Sequence, residues 1–196
     1  MAEGGSQDEA GKVQAAPGAL DLVRGFVNTI DIEAGEEHLQ TAASLQRWLA
    51  DRGLLPSDEP VDEMALRRAL EIREALRNLM LANNGGALAP HALDTLNRTS
   101  ESAHMTLQFD QDGQCHVQPT AGGVDGALGR LLAIVSGAMT DGTWVRLKAC
   151  RNHGCWWAFY DRSKNRSATW CTMEVCGNRI KARAYRQRRR ESDPVA

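Results

Sequence analysis

Two cysteine motifs determine the structure of the carboxy-terminal part of this chain: Cys150-Arg-Asn-His-Gly-Cys155 and, after fifteen intervening residues, Cys171-Thr-Met-Glu-Val-Cys176. The two C-x4-C pairs hold four of the five cysteines within 27 residues. Tetrahedral zinc binds four thiolates at about 2.3 Å, and each tight turn between paired cysteines can supply two of them. Metal binding can contribute on the order of 10 kcal/mol to the folding of a small module. The spacing therefore predicts one structural Zn²⁺ per chain.

Three alternatives stay open for these cysteines. Disulfides would use the same residues, but they are rare in a reducing cytoplasm, where a chain without an export signal is expected. Iron accepts the same four-thiolate set, and His153 is an alternative ligand inside the first pair. A catalytic zinc would keep one position open for water, whereas four cysteines close the coordination shell. The prediction is therefore a structural site rather than an active site.

A strongly basic segment follows the second cysteine pair and is predicted to be a helix. Six of its side chains form one widened stripe: Arg179, Lys181, Arg183, Arg186, Arg188 and Arg190. Three more basic residues between the cysteine pairs are assigned to the same contact: Arg162, Lys164 and Arg166. Like charges at this spacing repel one another, and a polyanion relieves the repulsion. We predict that this surface binds nucleic acid; the alternative is an acidic protein surface, including the acidic part of this chain.

The charge of the chain is divided between its two parts. Residues 150–190 carry a balance of +9, residues 1–149 a balance of −9, and the whole chain −2. One end therefore suits polyanions and the other would be repelled by them. Hydrophobic residues make up 42%, as in globular proteins, and no apolar run is long enough for a membrane span. We expect a cytoplasmic protein that does not contact a membrane.

The rest of the chain reads as an α+β arrangement, mainly helical with a small β-hairpin. Apolar residues at helical spacing, with glycine, asparagine and proline boundaries, predict five helices: Leu20–Asp31, Glu36 or Glu37 to Arg52, Val61–Leu81, Pro90–Glu101 and Ala127–Thr140. Alternation and turn residues predict four strands: His104–Phe109, Gln114–Gln118, Thr143–Ala149 and the aromatic run from Trp156. In the third helix, Glu71, Arg73, Glu74 and Arg77 are assigned to the solvated face.

Several of these motifs resemble a known bacterial family. The order C-x4-C, Tyr160-Asp-Arg-Ser-Lys-Asn165, Trp-Cys171 and Cys176-Gly-Asn-Arg179 resembles the CGNR zinc finger. Leu20-Asp-Leu-Val23 with Phe26-Val-Asn-Thr-Ile-Asp31 is similar to the opening "LDFVNT" motif of the ABATE domain, which usually precedes that finger. The resemblance implies four ligands: Cys150, Cys155, Cys171 and Cys176. One departure is Ala168-Thr169, where the family is expected to have an arginine pair.

The resemblance and the composition together predict three regions and a role. Residues 1–17 are expected to be a disordered leader, 18–143 an ABATE-like domain, and 144–192 a CGNR-type finger ending in the basic helix. The family implies a stress-induced transcription regulator. The basic helix predicts that it binds double-stranded DNA, and the amino-terminal domain is expected to serve homodimerisation or the sensing of a small-molecule effector. An RNA- or ribosome-associated stress protein and a zinc-stabilised protein-interaction module are the alternatives. No histidine pair or carboxylate pair has catalytic spacing, so no enzyme activity is expected.

Overall fold

The computed structural model describes residues 15–192, except for the side chains at positions 184 and 187–192. Most of the predicted leader lies outside the described residues; within its last part, Ala16 is buried and its amide donates a hydrogen bond to Asp21. Six helices and three two-stranded sheets make up the described chain, which confirms the predicted α+β class. None of the described helices is long and apolar enough to cross a membrane.

The long helix α3 (Glu63–Ala82) is the element around which the others pack. The Asp62 carboxylate accepts a hydrogen bond from the Ala65 amide at 2.7 Å and so caps its first turn. Its apolar side chains join one core with the helices on either side. Those helices are α1 (Leu20–Val27), α2 (Ala42–Ala50), α4 (Pro90–Ser102) and α5 (Gly123–Thr140).

The first two predicted helices are shorter than their apolar patterns indicate. The Thr29 hydroxyl bonds to the Phe26 carbonyl after α1, and the chain then forms a two-stranded hairpin, β1 (Ile30–Asp31) with β2 (Glu36–Glu37). Helix α2 begins only after Thr41, whose hydroxyl accepts from the Ser44 amide while the Ser44 hydroxyl accepts from the Thr41 amide. This reciprocal cap fixes the helix start, so the predicted start at Glu36 or Glu37 is wrong.

A second hairpin, β3 (Met105–Phe109) with β4 (Cys115–Pro119), lies against α5. At Gly129 an added Cβ would lie 2.6 Å from the Ala103 Cβ and 2.7 Å from the Pro119 Cβ, so the close approach requires glycine there. One face of the hairpin is apolar along its whole length, because the register pairs Leu107 with Val117. Away from α5 this face is uncovered in the described chain: Leu107 is 68% exposed and Phe109 72%.

The third sheet connects the helical core to the cysteines. A 3-10 turn at Trp144–Arg146 occupies the first half of the strand predicted at Thr143–Ala149, and only β5 (Leu147–Ala149) pairs with β6 (Ala158–Tyr160). Leu147, Ala149 and Ala158 belong to the same core as the helices. After a short π-type turn (Met173–Gly177), the described part of the chain ends in α6 (Asn178–Ser192), the predicted basic helix.

Candidate metal centre and basic surface

The four paired cysteines converge at one point. Their Sγ atoms all lie within 4.8 Å of one another, with Cys155 at 3.6 Å and Cys176 at 3.7 Å from Cys171. Four sulfurs at about 2.3 Å from one tetrahedral ion would be separated by about 3.8 Å, so these positions fit a zinc ion with little movement. Among the described residues, no histidine or carboxylate joins this group; His153 is exposed and its ring packs edge-on against Trp156.

Backbone hydrogen bonds fix the two cysteine turns. In the first, the Cys155 amide donates to the Asn152 carbonyl at 2.8 Å and the Cys150 amide to the Trp157 carbonyl at 3.0 Å. In the second, the Thr172 hydroxyl accepts from the Val175 amide at 3.3 Å. The Asn152 side-chain amide also donates to the Cys176 sulfur at 3.5 Å. Such donors around the sulfurs orient metal ligands and stabilise their negative charge.

The closely spaced sulfurs share protons through hydrogen bonds. Hydrogen bonds with Cys155 and Cys171 lower the pKa of the Cys150 thiol. The same hydrogen bonds raise the pKa of Cys155 and of Cys171 above the ordinary thiol value, because these two sulfurs hold the shared protons. A divalent ion replaces those protons by binding all four sulfurs as thiolates. The donor set and its geometry therefore both fit a structural zinc.

Aromatic side chains cover the site. Phe159 is buried with three of the cysteines, and Trp157 and Trp170 pack against this cluster while remaining partly exposed. The cluster is small, so it supplies few apolar contacts of its own. The metal is therefore expected to contribute a large part of its stability.

A buried ion pair, which the sequence analysis did not identify, holds the loop between the cysteine pairs. The Lys148 ammonium donates to the Asp161 carboxylate at 2.7 Å and to the Arg166 carbonyl at 2.6 Å. Burial raises the pKa of Asp161, but hydrogen bonds from Lys148 and Ser163 outweigh it, so that pKa lies below its ordinary value. The aspartate of the Tyr-Asp-Arg-Ser motif therefore stabilises the loop.

Two asparagines bind the helical domain to the finger through backbone groups. Asn28, in the "FVNT" motif, accepts from the Ala158 amide at 2.8 Å and donates to the Ala158 carbonyl at 2.9 Å, as a neighbouring strand would. Asn84, after α3, donates to the carbonyls of Ala149 and Thr169, each at 2.8 Å. Both asparagines are buried. The finger is therefore docked on the helical domain by directional hydrogen bonds.

The assignment of Arg73 and Arg77 to a solvated face is wrong, since they are only 4% and 2% exposed. Arg73 forms a bidentate salt bridge with the Glu37 carboxylate, with N···O distances of 2.7 and 2.8 Å. Arg77 donates to the Val27 carbonyl at 2.7 Å and to the Trp156 carbonyl at 2.8 Å. Guanidinium groups are buried where several acceptors surround them, and here the acceptors come from α1, β2 and the first cysteine turn.

The side chains predicted to contact nucleic acid are exposed wherever they are described. Three of them line one surface cleft of about 390 Å³ beside Asn152 and Gly154: Arg179, Arg183 and Arg186. Lys181 is exposed on the same helix, and Lys164 and Arg166 on the loop. The side chains of Arg188 and Arg190 lie outside the described residues.

Two of these basic residues already have partners within the chain. Arg179 forms an ion pair with Glu33, in the turn between β1 and β2, and this hydrogen bond raises the pKa of Arg179. Arg162 donates to the Ala15 carbonyl at 2.8 Å. The acidic domain therefore contacts the start of the basic helix, as the alternative of an internal acidic partner anticipated.

Comparison with known families gives two matches, in order along the chain. Residues 19–141 match the sequence model of the ABATE family, described as "Putative stress-induced transcription regulator". Residues 146–189 match that of the CGNR zinc finger. No curated protein matches the chain. Both matches agree with the resemblance drawn from the motifs.

Proposed function

Because the chain belongs to the ABATE family and carries a CGNR zinc finger, we propose that it regulates transcription by binding double-stranded DNA through that finger. The observation that carries the proposal is the single cleft lined by Arg179, Arg183 and Arg186. Three guanidinium groups converging on open surface form a site for phosphate oxygens or guanine edges. The proposal assigns binding and no reaction to the chain.

The metal centre gives the basic helix its direction. Cys176 is a predicted ligand, and α6 begins two residues later at Asn178. An ion held by four sulfurs therefore fixes where the helix starts, and the asparagines and Arg77 fix the finger against the helical domain. A helix with a defined origin can enter the major groove with arginine toward guanine and lysine toward phosphate.

The salt dependence of binding tests the polyanion part of the proposal. If about five phosphates are neutralised, log affinity should fall with log salt at a slope near −4 to −5. The Arg183→Gln variant should lower the slope by about one, because it removes one phosphate contact. Arg130→Gln is the matched control, since Arg130 is exposed on α5 and does not line the basic cleft. A flat salt response, or equal effects of the two variants, would contradict the proposal.

The type of nucleic acid is tested by competition. Duplex DNA, single strands and structured RNA are compared at one salt concentration, with the zinc-loaded full chain. Preference for a duplex sequence supports the regulator, whereas preference for structured RNA supports the RNA- or ribosome-associated alternative. Binding to none of them, with a stable complex formed by a defined acidic protein, would support the interaction module.

The proposal includes a homodimer, because a single finger gains useful affinity when two-fold symmetry presents a second one. The uncovered hairpin face with Leu107 and Phe109 is the surface we assign to this contact, since exposed apolar patches of this kind mark association sites. Phe109→Ser should shift the mass measured by light scattering toward the monomer, while Gln108→Ser, on the opposite face, should not. A monomeric unmodified chain at all concentrations would exclude the dimer. Effector sensing is assigned to the helical domain.

A further inference from the structure

A small cleft lies between α3, α4 and α5, away from the metal centre. Its volume is about 160 Å³, and its apolar lining includes Ile72 and Leu128, each only 1% exposed. A cavity of about 150 Å³ can hold a molecule the size of benzene. The cleft therefore has room for a ligand of about six to eight non-hydrogen atoms.

The polar lining of the cleft carries charges of both signs. Arg68 and Arg98 supply two guanidinium groups, and Glu71 and Asp125 supply two carboxylates. The Arg98 Nη2 donates to the Thr95 hydroxyl at 3.1 Å, and the Arg68 Nη2 lies 3.3 Å from an Asp125 oxygen. Formal charges therefore balance within the cleft. A site of this kind suits a ligand that is itself neutral overall but has separated charges.

The Arg68 guanidinium group can donate to a ligand in this cleft, because the Arg68 side chain is 43% exposed. Its Nε is buried, has no hydrogen-bond partner among the residues that the structure describes, and lies out of a ligand's reach. A carboxylate matches the fork of a guanidinium group.

We propose that this cleft binds a small α-amino acid. The ligand carboxylate accepts from Arg68 and Arg98, its ammonium faces Asp125 and Glu71, and a short side chain contacts the apolar lining. The requirement for both charges follows from the balanced cleft, and the size limit follows from its volume. The inference identifies the class of effector for the proposed regulator, and the binding step itself does not depend on DNA recognition.

The cleft is connected to the finger through α3. Arg68 and Glu71 line the cleft, and Arg73 and Arg77 on the same helix bind Glu37 and the Trp156 carbonyl. If α3 has two positions, a ligand that binds one of them more tightly increases the population of that position. The finger, which is bonded to α3, then moves with it. This regulatory consequence rests on the proposed function.

Isothermal titration calorimetry on the zinc-loaded full chain, without DNA, tests the binding step. Glycine, alanine and serine are compared with N-acetylalanine and alaninamide, which each lack one charge, and with acetate and inorganic phosphate. We expect saturable binding of at least one amino acid, and binding at least tenfold weaker for every compound lacking either charge. Equal binding of acetate or phosphate would overturn the amino-acid assignment, and no saturable binding would overturn the site.

Variants locate the binding in the cleft. Arg68→Gln and, independently, Arg98→Gln should each weaken amino-acid binding at least tenfold, and circular dichroism checks that both fold. Arg67→Gln is the matched control, because Arg67 is exposed on the same helix and outside the cleft. Unchanged binding by both cleft variants would refute the proposal. Since these titrations contain no DNA, their failure is distinguishable from a failure of the proposed function.

Discussion

Replacing Arg77 with methionine should destabilise the zinc-loaded protein by about 2–4 kcal/mol, because two backbone carbonyls lose their donor. The side chain is 2% exposed, and it donates to the Val27 carbonyl at 2.7 Å and the Trp156 carbonyl at 2.8 Å. An unsatisfied buried acceptor costs about 1–3 kcal/mol, and the partly buried Trp156 carbonyl belongs to the lower end of that range. The pair with Glu74 adds little, because the Glu74 side chain is 48% exposed.

The Arg77→Met substitution should also weaken zinc binding. Trp156 follows Cys155 directly and has a φ of 50°, a left-handed backbone conformation that residues other than glycine rarely adopt. Arg77 holds the carbonyl of that residue, so Arg77→Met should let the first cysteine turn relax and release zinc to a colorimetric chelator faster.

Urea unfolding followed by tryptophan fluorescence measures the stability change, and Arg67→Met is the control on the exposed face of α3. We expect the control to change the free energy of unfolding by less than about 0.5 kcal/mol. An Arg77→Met protein that loses no more stability than this control, and keeps zinc equally well, would refute the role given to Arg77.

Two further predictions concern acidic residues near the finger. Glu33→Gln should raise affinity for duplex DNA by about two- to fivefold, since Arg179 is released from its internal partner; anisotropy titrations should show a smaller gain for Glu36→Gln. Burial raises the pKa of Glu37, but hydrogen bonds from Arg73 outweigh it and hold that pKa below its ordinary 4.5. Its stabilisation is present above that value and lost as pH falls through the lower folded pKa, so the deficit of Glu37→Gln in urea unfolding should shrink in acid; a pH-independent deficit would contradict this.

The metal ligands and the helical elements could be predicted from sequence because their signals are local. Paired cysteines at fixed spacing identify a site before any packing is known, and α3 follows from its apolar period between the Asp62 cap and the asparagines at its end. The hairpin β3–β4 was predicted within one residue of its bounds, since the intervening Asp-Gly turn is a strong signal.

What the sequence did not indicate depends on long-range contacts. Arg73 and Arg77 occupy helix positions typical of exposed residues. Their burial is favourable because distant segments supply acceptors: the Glu37 carboxylate for Arg73, and backbone carbonyls for Arg77. Asn28 pairs with Ala158 across 130 residues of sequence. Helix α5 begins at Gly123 rather than Ala127, because its early glycines permit close packing that a local pattern reads as a flexible connection.

One metal ion, held by four sulfurs, is expected to orient the basic helix for DNA binding. The most direct measurement is a zinc titration of chelator-stripped protein, with fluorescently labelled duplex DNA present and anisotropy as the signal. Bound DNA should rise with added zinc and reach its plateau at one zinc per chain, and Cys171→Ser should abolish the rise. Stripped protein that binds DNA as tightly as the zinc-loaded chain would contradict this expectation.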